Sequence, residues 1–395
     1  MYLTSFIHRE ELFDIVERWF CHRPESSDAL RLTEILISDG FVIGETLHVL
    51  ADHFLGAISN ETTQKRCIQF KGELRDTICR SRRGLTPRVE ELFAEYRKNP
   101  DFFYREAPIN GVMCLDETDH LVALYRVKRP RRIAEKANRR IAAWFFHTVQ
   151  DAARHMAEER ASRSGIPFEQ LLTPEAEMVR EFVEAEKEIA RAFSFATMKL
   201  DRAPMSISDV GGIKVIADEE QLARLVTVIR GDPTLTIVEM ENHRGSYEAN
   251  SMILDVLWNP EWICRRFVET GAWERYSNRG IPAEQLKKGI EPLLAGAQPN
   301  LKVELILATF PNMVESELGN SIHEQRIITQ REDKVYKGYI PTNVEFLLGY
   351  LFAVGFSPVV EMGELPFRLW GRYLPDTLVS HVRRLNRIPD YDLLY

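Results

Sequence analysis

YRVKRPRRIAEKANRR, residues 125–140, is the stretch on which the reading of this chain turns. A partly β-branched run, His120 to Val127, leads into it as a strand, and Pro130 breaks that strand. A helix follows, carrying Arg132, Lys136, Arg139 and Arg140. Alternation along the strand sets Arg126 and Lys128 on one face, and Arg132 and Lys136, one turn apart, share a face of the helix. Four cations thus converge beside a helix N-terminus, a natural seat for a polyphosphate. Arginine adds bidentate recognition and can stack on a base. A solvated basic helix or a nonspecific nucleic-acid patch has the same charge density, so the neighbouring carboxylates decide between the readings.

Two later stretches supply carboxylates. ISDVGGIKVI, residues 207–216, places Asp209 before two glycines and a β-branched strand that carries Lys214. Magnesium favours one or two such carboxylates completed by phosphate oxygens, although Asp-Val-Gly-Gly is also an ordinary turn. VELILATFPNMVESELGNSIHEQR, residues 303–326, embeds Glu304 in a strand that is otherwise Val, Leu, Ile and Leu. A charge there points either to a site, a metal or a basic partner, or to water from an edge strand. Downstream, Glu315, Glu317 and His323 read as surface positions, and His147 and His155 as surface or packing histidines.

Around these stretches the chain reads as α+β. Before residue 109 it is helical: Glu10 to Phe20, Leu30 to Ile37 and Thr46 to Leu55 carry amphipathic patterns, Thr63 to Arg83 reads as an exposed helix, and a further helix starts after Pro87. From Gly111 to about residue 325 strand and helix signals alternate, as in a mixed sheet flanked by helices. Strands are expected at Gly111–Leu115, His120–Val127, Gly212–Ala217, Leu235–Glu241, Ser251–Leu257 and Leu301–Thr309. The apolar run Phe346 to Val360, broken by Gly349, Gly355 and Pro358, is too short to span a bilayer and reads as a buried helix and turn. The organisation expected is a helical N-terminal region over 1–108, a catalytic-type domain over 109–328 with a helical insertion at about 140–200, and a helical extension over 329–395.

The 395 residues carry a formal net charge of −8, which argues against a generally basic nucleic-acid coat. Cysteines 21, 67, 79, 114 and 264 form no CxxC pair, a pattern that suits a reducing cytoplasm rather than a zinc or disulfide framework. The N-terminus meets acidic residues before any long apolar run and does not read as a secretory signal. No P-loop, Rossmann dinucleotide motif or G-x-S-x-G elbow occurs.

Taken in order, the three stretches resemble the synthetase domain of the RelA/SpoT family, whose fold is a nucleotidyltransferase-like mixed sheet. Residues 125–140 resemble R-x-K-x-x-x-S-x-x-x-K through Arg126, Lys128 and Lys136, with Arg132 where serine is usual. Asp209 and Gly212 match D-x-x-G-x-R, with Lys214 replacing arginine. Glu304, Thr309 and Met313 match E-x-Q-x-R-T and its following helix, while Ile306 and Ala308 replace glutamine and arginine. HRGSYEANS, residues 243–251, is similar to G-Y-x-S-x-H, with Gly245 and Tyr247 one residue further apart and Asn250 in place of histidine. The resemblance spans about 115–325, and both the run from Lys136 to Asp209 and that from Tyr247 to Glu304 are longer than the family's.

The resemblance implies transfer of a pyrophosphoryl group from ATP to the 3′-hydroxyl of a nucleotide or RNA acceptor. Arg126, Lys128, Arg132, Lys136 and Lys214 would bind phosphates, Asp209 and Glu304 would share Mg²⁺ or Mn²⁺, Glu304 would serve as the base, and Tyr247 would stack the acceptor base. Ile306 and Ala308 leave the donor half better kept than the acceptor half, so a catalytically inactive nucleotide- or alarmone-binding module stands beside the enzyme reading. An RNA-contacting structural protein is the third reading. The sequence gives no membrane role and leaves a homo-oligomer open.

Overall fold

A computed structural model describes residues 1–59, 61–243, 248–319 and 339–374, together with positions 325, 328, 377, 380 and 384. After the two-residue strand β1 (Tyr2–Leu3), helix α1 (Arg9–Phe20) buries Leu12, Phe13, Ile15, Val16, Trp19 and Phe20 along one stripe. Helix α2 (Asp28–Ile58) runs unbroken for 31 residues where the sequence suggested two helices. Gly40 and Gly44 lie within it, and each costs about 1 kcal/mol against alanine. Burial of Ile37, Val42, Ile43 and Leu47 at about 1.5–3 kcal/mol apiece outweighs that cost. By length and apolarity α2 would suffice to cross a bilayer; here it packs against the sheet and the C-terminal helix.

Next come β2 (Gln64–Phe70), α3 (Lys71–Ile78), α4 (Pro87–Lys98), β3 (Pro108–Leu115) and β4 (Leu121–Val127). An exposed helix over Thr63–Arg83 is thus overturned: the first part is an edge strand paired with β3, and the second is a helix with Lys71 and Arg75 buried. The adjacent charges Lys65 and Arg66 in QKRCIQF suit an edge strand, whose outer side must repel other strands. A helical hairpin of α5 (Pro130–Ser164) and α6 (Glu175–Ser194) comes next. Then follow β5 (Ser206–Ile207), β6 (Gly211–Ile216), α7 (Glu219–Gly231), β7 (Leu235–His243), β8 (Ala249–Leu257), α8 (Pro260–Glu269), the short α9 (Ala283–Leu286), β9 (Asn300–Ala308), α10 (Phe310–Leu318) and α11 (Tyr339–Gly355). Helix α11 is the expected apolar helix, seated between α2 and α5.

Among the described residues, seven strands form one sheet in the order β2–β3–β4–β6–β9–β8–β7. It is mixed and mostly antiparallel, with β6 and β9 the parallel pair, and helices flank it. Tyr125, Ile213, Val215, Leu305 and Leu254 point to the face that packs on α2 and α7, within the larger core. Among the described residues, the opposite face is covered at its β2–β4 end, where α3, α4 and α10 bury Met113, Leu124, Phe310 and Met313 in a second core. Past that end, the polar residues of β4, β6 and β9 are left facing open space, and the cavity described next lies there.

Candidate functional site

Register puts the key residues on that uncovered face. Arg126 pairs with Gly212, Gly212 with Glu304, and Lys214 with Ile306. The two glycines serve opposite faces. A Cβ on Gly211 would meet Ile43 Cγ2 of α2 at 2.7 Å, whereas one on Gly212 would meet Glu304 Oε2 at 3.4 Å. The pair lets α2 seat on one side while the Glu304 carboxylate lies over β6 on the other.

A cavity of about 280 Å³ opens over this face, lined by Arg126, Lys128, Arg132, Lys136 and Lys214, with Asp209 and Glu304 between them. The residues predicted from three remote stretches are therefore brought together. Strand β4 delivers Arg126; its extension past Val127, held by a 2.7 Å hydrogen bond from Lys128 N to Val210 O, delivers Lys128 beside Asp209. The first turns of α5 bring Arg132 and Lys136. Arg132 pairs with Glu135 at 3.0 Å. Tyr247, the expected stacking platform, and His323 lie outside the described residues.

Lys128 and Lys136 both donate to the same oxygen of Asp209, Oδ2. Lys128 Nζ also stands 3.9 Å from Glu304 Oε2. Burial pushes the Asp209 carboxyl up, but the two ammonium groups outweigh it and hold it at about 2. For Lys128 burial dominates and lowers its pKa, against the opposing pull of Glu304 and Asp209. Asp209 Oδ1 is buried with no hydrogen-bond partner among the described residues. No three His, Cys, Asp or Glu side chains among those residues form a metal cage. An orphaned carboxylate oxygen near a second carboxylate suits a hard cation that completes its shell with phosphate oxygens.

Sequence reasoning missed the far wall. Glu317, read there as a surface position, is 5% exposed, and its partners Lys71 and Arg75 are 4% and 0% exposed. Lys71 Nζ donates to both Glu317 oxygens at 2.8 and 2.7 Å, Arg75 Nη2 donates to Oε2 at 3.3 Å, and Arg75 Nε reaches the Glu317 carbonyl at 3.0 Å. The signal was present: Phe310, Met313, Val314, Glu317 and Leu318 form one helical stripe, and the glutamate sits inside it. Glu315, by contrast, pairs with the exposed Arg88 at 3.1 Å. Among the described residues Lys214 Nζ finds only Ser316 Oγ, at 3.5 Å. Burial lowers its pKa to about 8, against a smaller raising effect from Glu317. A buried, weakly held ammonium group facing a cavity gains most from an arriving anion. His147 and His155 are exposed on α5, away from the cavity lining.

No family model matches this chain, and no curated protein does. Among solved structures the chain is similar to the small alarmone synthetase 1 from Bacillus subtilis, at 11% identity over 68% of this chain and 86% of that one, with a TM-score of 0.22. A score that low carries no argument about the activity of this chain, for which the cavity's own chemistry has to speak.

Proposed function

We propose that the chain is a nucleotidyltransferase-like pyrophosphokinase of the RelA/SpoT type, using ATP as donor. One observation carries the reading: five cations and two carboxylates, drawn from residues 126–136, 209–214 and 304, line a single cavity. Such a set matches the needs of phosphoryl-type transfer, in which positioning and charge stabilisation supply most of the rate.

In this reading Arg126, Lys128, Arg132, Lys136 and Lys214 bind the triphosphate and neutralise charge on the transferred group. Asp209 and Glu304 would hold Mg²⁺, which when bound supplies charge stabilisation on phosphate oxygens. The acceptor hydroxyl oxygen bonds to the β-phosphorus as the bond from that phosphorus to the α,β-bridging oxygen breaks. AMP departs with the electron pair, and Glu304 takes the hydroxyl proton. Lys128 and Lys136 must leave Asp209 for the phosphates, so donor and metal arrive as coupled events.

The test is incubation of the purified chain with β-labelled ATP, Mg²⁺ and a panel of hydroxyl acceptors, alongside Asp209→Asn. Transfer that the variant loses supports the reading; absence of transfer to every acceptor, with no ATP binding, refutes it. A second reading, a nucleotide-binding module without turnover, draws on Ile306, which lines the cavity where the family has a polar side chain. Thermal stabilisation by ATP without transfer would select it.

A further inference from the structure

A second cavity of about 270 Å³ adjoins the first, and the two share Lys136, Asp209 and Glu304 as their common ridge. Their charges differ in sign. Six cations face three carboxylates in the first: Lys71, Arg126, Lys128, Arg132, Lys136 and Lys214 against Asp209, Glu304 and Glu317. In the second, Lys136 and Arg140 face Asp209, Glu239, Glu241 and Glu304, with Ser206, Ser208 and Ser251 supplying hydroxyls. Lys136 is already engaged by Asp209, and Arg140 is exposed at the end of the α5 wall. Glu239 has no ion pair among the described residues.

The acidic wall comes from an irregularity in the sheet. Strand β7 pairs with β8 in one register up to Ile237–Leu254 and resumes at Glu239–Ile253, so Val238 is an extra residue. That bulge turns Glu239 and Glu241 onto the face of Ile253 and Glu304. In unbroken register Val238 and Met240 would occupy it, and the β7 wall of the cavity would be apolar.

We infer that this second cavity receives the acceptor, and that the acceptor presents its hydroxyl on a polyol bearing an ammonium group rather than on a nucleoside di- or triphosphate. The inference rests on the transfer reading proposed above. A polyphosphate placed beside the exposed Glu239 and the half-buried Glu304 meets like charge. An ammonium group there meets Glu239 directly, and the three serines suit neighbouring hydroxyls. The step is unchanged: the polyol oxygen bonds to the β-phosphorus, AMP leaves, and Glu304 takes the proton.

Glucosamine, glucose and glucose 6-phosphate share one ring and differ in charge, so they test this by ligand-observed NMR on the full chain. Glucosamine is expected to bind about threefold more tightly than glucose, the size of one partly exposed ion pair, and glucose 6-phosphate more weakly than either. Glu239→Gln should erase the glucosamine advantage, and Glu239→Lys should turn the preference toward the phosphate. Equal or tighter binding of glucose 6-phosphate by the unaltered protein, or a preference that survives Glu239→Gln, overturns the inference. Binding of a nonhydrolysable ATP analogue, measured separately, tests the transfer reading: its failure leaves the charge preference of the second cavity standing or falling on the sugar series alone.

Discussion

Glu317→Gln is the most demanding test of how the cavity wall is built. The substitution keeps the side chain's volume and removes its charge, taking the Glu317 carboxylate away from the buried Lys71 and Arg75. Removing one partner from a buried ionic network costs about 3–5 kcal/mol, a large share of a typical stability of roughly 5–15 kcal/mol. With a guanidinium slope of ~5 kcal/mol per molar, the unfolding midpoint should drop by about 0.6–1 M. Far-UV circular dichroism follows it. Glu315→Gln, which breaks the pair with exposed Arg88, is the control and should cost under about 1 kcal/mol. The pH dependence adds a second reading. Burial raises the Glu317 carboxyl, but Lys71 and Arg75 outweigh it and hold it below the ordinary carboxylate range. A depressed native pKa gives stability that is present above the unfolded value of about 4.3 and is lost as pH falls through the native one. The difference between wild type and Glu317→Gln should therefore be full at pH 7 and shrink below about pH 4. A midpoint shift under 0.2 M at pH 7, or a difference that grows in acid, would refute the network's role.

The remaining predictions concern the donor cavity and the thiols. Lys128→Met and Lys136→Met should each weaken an ATP analogue by about 10–100-fold in calorimetry, the worth of one charged hydrogen bond, while tightening Mn²⁺ binding without nucleotide by electron paramagnetic resonance, because Asp209 then keeps one ammonium partner instead of two. Lys214, with a pKa lowered to about 8, is charged below that pH and neutral above it. Analogue affinity should therefore fall roughly five- to tenfold between pH 7 and 9, and Lys214→Arg, charged throughout, should flatten the profile. Iodoacetamide should modify exposed Cys67 and spare Cys79 and Cys114, whose buried thiols are pushed up to about 12 and 11, in a mass-spectrometric time course on native protein.

Several of these groups were legible from local pattern. Arg126 and Lys128 belong to a strand end and Arg132 and Lys136 to the helix after Pro130, because alternation, helical spacing and a proline break are properties of neighbours in the chain. Glu304 stood out as a charge in an apolar strand, and it does face the cavity. Where reading failed, long-range packing had overruled local preference. Residues 64–70 carry a charge pattern compatible with an exposed helix, and pairing with β3 makes them a strand. The patterns Leu30 to Ile37 and Thr46 to Leu55 suggested two helices, and burial along α2 makes them one.

The sequence by itself determined the inventory: a strand–helix cation cluster, two carboxylates in other strands, and the alternation of elements that builds a mixed sheet. Tertiary structure alone decided which of these meet. Parallel pairing of β6 with β9 sets Gly212 against Glu304, the reach of Lys71 and Arg75 to Glu317 closes the wall from 242 or more residues away in the chain, and one extra residue at Val238 gives the second cavity its charge. The physical reason is that burial and ion pairing depend on distance in space, while periodicity depends only on distance along the chain.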